Sequence, residues 1–111
     1  VSVNEKIEQA IGELFSGNVW PLKCPHDSAP DIYAIYNPEI EEPGYYADDA
    51  DEDWAQHMQI HAFTKGNYIG MRKEARKKLR ENGFIITGIY TNYEKETGYN
   101  HLCIECYTEE E

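Results

Sequence analysis

The chain has 111 residues, 28% of them charged and 13% aromatic, and a formal net charge of −11. Its length suits one domain around one core, and its charge opposes sequence-independent DNA binding, which needs a basic surface to displace counterions. The same charge holds anionic membranes at a distance, no apolar run approaches the roughly 18 residues of a membrane helix, and no secretory pattern opens the chain.

Ser2 followed by Glu5 forms a capping box, and Val3, Ile7, Ala10, Ile11 and Leu14 then share one helical face. The spacing predicts an amphipathic helix from Val3 to Phe15, ended by Ser16-Gly17-Asn18. Pro21, Pro25 and Pro30 allow at most a short edge strand around Trp20 to Cys24. Ile32, Ala34 and Tyr36 alternate with Tyr33 and Ile35, a strand closed by Asn37-Pro38. From Glu39 to Asp53 there is no periodicity, and Pro43-Gly44 lies inside, so the stretch reads as a long loop.

Trp54 to Thr64 alternates again. Met58, Ile60 and Ala62 take one face, while His57, Gln59, His61 and Phe63 take a partly wet one. Asn67 caps a second helix, Tyr68 to Asn82, with Tyr68, Met71, Ala75 and Leu79 as its apolar stripe and Gly83 at C′. Phe84 to Tyr93 and Tyr99 to Thr108 form two more strands joined by a turn through Glu94 to Gly98. Glu109, Glu110 and Glu111 are expected to fray.

The order α-β-β-β-α-β-β predicts a single α+β domain over residues 1–111. A mostly antiparallel sheet of four to five strands would carry both helices on one face.

Charge is unevenly divided along this chain. Glu39 to Asp53 holds eight carboxylates and no basic residue, whereas Lys65 to Arg80 holds seven of the ten Lys and Arg. Opposite patches on one molecule favour head-to-tail contact between copies. The residues expected to mediate it are Asp48, Asp49, Asp51, Glu52 and Asp53 against Arg72, Lys73, Arg76, Lys77 and Arg80. Tyr45, Tyr46 and Trp54 flank the acidic stretch as candidate apolar anchors, or equally as local packing.

Other chemistry finds little support. Cys103-Ile-Glu-Cys106 has CxxC spacing, but strand residues three apart point to opposite faces, so a zinc site with Cys24 and His26 is disfavoured. His57 and His61 share a strand face but stand too far apart to chelate one ion. Asp49 to Asp53 starts like a calcium loop but lacks the central Gly and the closing Glu. No nucleophile elbow or phosphate-binding glycine loop occurs. The expectation is a protein with no catalytic residue, metal or cofactor. Three cysteines leave one unpaired in any disulfide scheme, which favours reduced thiols.

In layout the chain resembles the small tail-completion (tail-terminator) proteins of long-tailed bacteriophages and prophages. The resemblance rests on the opening helix, the segment Asp31 to Asn37, and Tyr46-Ala47-Asp48-Asp49 within the acidic stretch. It continues through Gln59 to Lys65, the Asn82-Gly83-Phe84 helix exit, and the hairpin segments Ile89 to Glu94 and Tyr99 to Leu102. It implies a non-enzymatic subunit that forms a ring, commonly a hexamer, in the virion tail or neck after assembly in the host cytoplasm. Implied partners are the chain itself, a tail-tube protein and a head-connector protein, with DNA passing through the lumen and no membrane or specific nucleic-acid site. A neck or head-closure component is the near alternative. An acidic DNA mimic that inhibits a host nucleic-acid-binding protein is the remote one, and the coherent basic helix argues against it.

Overall fold

A computed structural model describes residues 2–43 and 54–109. Helix α1 (Val3–Ile11) is followed by strands β1 (Val19–Pro21), β2 (Ile32–Pro43) and β3 (Trp54–Thr64). Helix α2 (Tyr68–Glu81) and strands β4 (Ile85–Glu94) and β5 (Tyr99–Glu109) complete the α+β order. The five strands form one sheet in the order β1-β2-β3-β5-β4. β1 runs parallel to β2, and every other pair is antiparallel.

Both helices form where their caps predict. The Ser2 hydroxyl accepts from the Glu5 amide at 3.2 Å, and the side-chain Oδ1 of Asn67 accepts from the Ile69 and Gly70 amides at 3.1 and 3.3 Å. Each cap satisfies donors that the first helical turn leaves open. At its far end α2 gives way to Gly83 with φ +90°, a left-handed conformation that glycine adopts without a Cβ clash.

The core lies between the helices and one face of the sheet. Ile7, Ile11, Phe15, Ala34, Ile60, Ala62, Leu79, Leu102 and Ile104 are all fully buried there. Period 3.6 in the helices and period 2 in the strands bring these side chains into one layer. Polar ties sit at its margin. The Tyr36 hydroxyl donates to the Glu8 carboxylate, and Thr108 accepts from Lys6 at 3.2 Å while donating to the Gly83 carbonyl at 3.1 Å.

Several boundaries differ from expectation, those of α2 and β4 by a single residue. α1 stops at Ile11 rather than Phe15, because Gly12 weakens the helix and Ser16 and Gly17 reverse the chain at φ 56° and 80°. The first strand spans only Val19–Pro21 and not Trp20 to Cys24. β2 does not end at Asn37-Pro38 but runs on to Pro43, so Glu39–Pro43 belongs to a strand and not to the acidic loop. Beyond Tyr36 this strand is the sheet edge among the described residues, where proline is tolerated, and a bulge between Pro38 and Ile40 absorbs the irregularity. Glu109, expected to fray, pairs with Ala55 at the end of β5.

Candidate interaction surfaces

The sheet face turned away from the helices is built by the alternate residues of each strand. Its register aligns Tyr33, Phe63, His101 and Asn92 across β2, β3, β5 and β4. The next row aligns Trp20, Ile35, His61, Cys103 and Tyr90. Aromatic rings in the first row pack as a pile. Phe63 stacks on Tyr33 at a centroid distance of 4.7 Å and on His101 at 4.3 Å, and Tyr99 closes edge-on at 5.9 Å. The Tyr99 hydroxyl donates to the Pro30 carbonyl at 2.6 Å, tying the β1–β2 connection to this pile. Lys65 lies over the Tyr99 ring at 4.9 Å and faces Asp31 at 3.9 Å.

A polar relay crosses the same face. His101 Nδ1 lies 3.2 Å from the Glu94 carboxylate, His101 Nε2 lies 2.9 Å from His61 Nδ1, and His61 Nε2 lies 3.3 Å from Gln59 Oε1. Each of the four ring nitrogens is thus within reach of a partner, and the proton of the His61–His101 contact can come from either ring. Burial, and then the neighbouring His101, push the His61 pKa below its ordinary value. The unfolded chain therefore takes up a proton at His61 around pH 6.5 that the folded chain still refuses. Stability from this site is complete above that pH and is lost as pH falls through the lower folded value. The urea midpoint is expected to drop between pH 7.5 and 5.5, with His61→Gln flattening part of that drop. An equally steep fall in the variant would remove His61 as a cause.

The basic helix builds a different surface. Arg72, Arg76 and Arg80 recur every four residues on α2, facing β4 across a cleft of about 660 Å³ floored by Ile85, Ile86 and Ile89. Among the described residues no carboxylate pairs with these arginines. Lys73 and Lys77 line an adjoining cleft of about 440 Å³ with Arg76, Arg80 and Glu81. All five basic residues singled out from the sequence thus line one continuous side of α2.

The acidic candidates are less fully placed. Tyr45, Tyr46, Asp48, Asp49, Asp51, Glu52 and Asp53 lie outside the described residues, and Trp54 opens β3 opposite Pro43. Glu41 and Glu42 pair through their backbones with Gln56 and Ala55 at the β2 edge. That edge is the opposite side of the sheet from β4 and α2.

Sequence reasoning missed the pile of Tyr33, Phe63, Tyr99 and His101. Its signal was available as aromatic residues at alternate positions in three strands, but the strand order that aligns them was not. Cys103 and Cys106 part as the strand geometry requires, with Cys106 in the core and Cys103 beside His61 on the open face. Among the described residues no group of three His, Cys, Asp or Glu is placed to hold a metal.

No family model matches the chain, and no curated protein matches it in sequence. Its fold is similar to that of a chain in the virion of a native gene transfer agent particle, with a TM-score of 0.67 and 10% identity. The likeness covers 98% of this chain and 94% of the other.

Proposed function

We propose that this chain is a non-enzymatic structural protein of a phage-like virion, which closes into a ring, caps the tail tube and joins it to the head. The observation that carries the reading is the near end-to-end likeness in fold to a gene transfer agent virion chain. Charge placement supports it independently. An acidic edge and a basic edge on opposite sides of one sheet make a head-to-tail contact, which yields a ring when the rotation between copies closes. An acidic lumen would let DNA pass without being held.

Ring closure brings the acidic segment of one subunit against the α2 arginines of the next. Exposed ion pairs contribute about 0–1 kcal/mol each, so apolar surface must add to them. Ile85, 54% exposed at the floor of the arginine cleft, is one source, and Tyr45, Tyr46 and Trp54 are candidates from the other side. Light scattering across concentration and salt tests the reading. A defined ring near a hexamer, weakened in part by high salt because screening spares apolar contacts, is expected. A strict monomer at every concentration and salt would withdraw the self-closing ring.

A further inference from the structure

We infer that the free edge of β4, beneath the Arg72–Arg76–Arg80 row, receives the outer acidic half of β2 from a second copy as an added antiparallel strand. The inference rests on the ring reading above and specifies how its subunits meet.

Among the described residues, two long stretches of strand backbone lack a neighbour, besides the short outer edge of β1. β4 is the last strand on one side. On the other side β1 covers only Ala34–Tyr36, so β2 from Asn37 to Pro43 is bare along its outer edge. Bare edges invite pairing with another chain, and proteins usually blunt them with lysine or proline. β4 carries neither in its ten residues, Ile85–Glu94. Its outward apolar side chains are instead exposed, Ile85 at 54% and Tyr90 at 61%.

Charge selects the occupant. The bare part of β2 contains Glu39, Glu41 and Glu42, and the wall above β4 is Arg72, Arg76 and Arg80. Within one chain β3 and β5 separate these edges. Three strand spacings amount to about 14 Å, so the β2 strand cannot neutralise the arginines of its own chain. A second copy can.

Direction agrees as well. β2, β3, β5 and β4 alternate in sense across the sheet. A second copy held in the same orientation therefore offers its β2 antiparallel to β4, the pairing that needs no crossover and is slightly more stable per residue. Pro38 and Pro43 lack N–H groups, and alternate residues between them point their N–H groups at β3, which leaves about two added donors within Glu39–Glu42. So short a ladder binds weakly by itself, which leaves partner choice to the charges and bounds the register at both ends.

Disulfide trapping tests this in a Cys24→Ser, Cys103→Ser, Cys106→Ala background. One preparation carries Thr87→Cys or Thr91→Cys in β4, the other Glu39→Cys or Glu41→Cys in β2. Mild oxidation of the mixture is expected to give about tenfold more covalent dimer than either preparation alone. Adding Arg76→Glu should suppress it. A ring by light scattering with no β4–β2 cross-link would overturn strand addition and leave the ring reading standing. No association and no cross-link would overturn both. A charge swap in the otherwise native chain supplies a second route that spares the buried Cys106. Glu41→Arg and Arg76→Glu should each weaken association about tenfold and restore it when combined in one chain. Failure of the pair to restore it would overturn the docking.

Discussion

Replacing Arg72, Arg76 and Arg80 together by glutamate is expected to abolish self-association while the fold persists. Each exposed pair contributes about 0–1 kcal/mol, and reversal converts attraction into repulsion of similar size. Three such reversals in one cleft amount to as much as about 6 kcal/mol, and at the midpoint of about 3 kcal/mol to roughly a hundredfold in affinity. The fold survives because α2 packs through Met71, Ala75 and Leu79, none of which is touched. Glutamate is also a good helix former, and its cost at Arg80 against the helix dipole is about 0.3–1 kcal/mol. Light scattering reads the assembly and a thermal melt reads the fold. Unchanged assembly in a folded triple variant would sink the basic helix as an interface. Charge reversal at Lys6, outside the cleft and bonded to Thr108, would be the wrong control. Lys95, exposed in the β4–β5 turn, is the right one.

How far the sequence could be read depended on whether the deciding contacts were local. Capping at Ser2 and Asn67, the left-handed exit at Gly83 and the alternation of Met58, Ile60 and Ala62 are short-range features, and all four sit where periodicity and capping place them. The continuation of β2 through Pro38 was illegible for the opposite reason. Two prolines and three glutamates argue against a strand locally, and only pairing with β3 overrides that preference. The arginine row was visible as helical spacing. Its separation from the acidic strand was not, because β3 and β5 come between β2 and β4 only in the folded sheet order. Of the acidic block, Glu39, Glu41 and Glu42 lie on β2, across β3 and β5 from the β4 edge that the arginines overlook.

The second large effect is expected at Phe63, on the sheet face turned away from α1 and α2. Phe63→Ala should lower stability by about 2–3 kcal/mol, below the roughly 3–5 kcal/mol of a phenylalanine enclosed on all sides. The ring is only 9% exposed, because Tyr33 and His101 stack on its two faces and Tyr99 meets its edge. Removing it would unsupport three rings at once and loosen the Tyr99 clamp on Pro30. Tyr93, also aromatic but 60% exposed on the edge strand, provides the contrast. Tyr93→Ala should stay within about 0.5 kcal/mol, as surface substitutions usually do. Urea melts of both variants decide the matter. A loss at Phe63 no larger than at Tyr93 would mean that the aromatic pile contributes little to stability. A large loss would give the domain a second packed layer, which stiffens the β2–β3–β5 centre of the sheet. In the proposed ring that stiffness would matter, since it would hold the acidic β2 edge and the β4 cleft at a fixed separation and angle. Head-to-tail contacts close into a ring of one size only when the angle between a molecule's two ends is fixed.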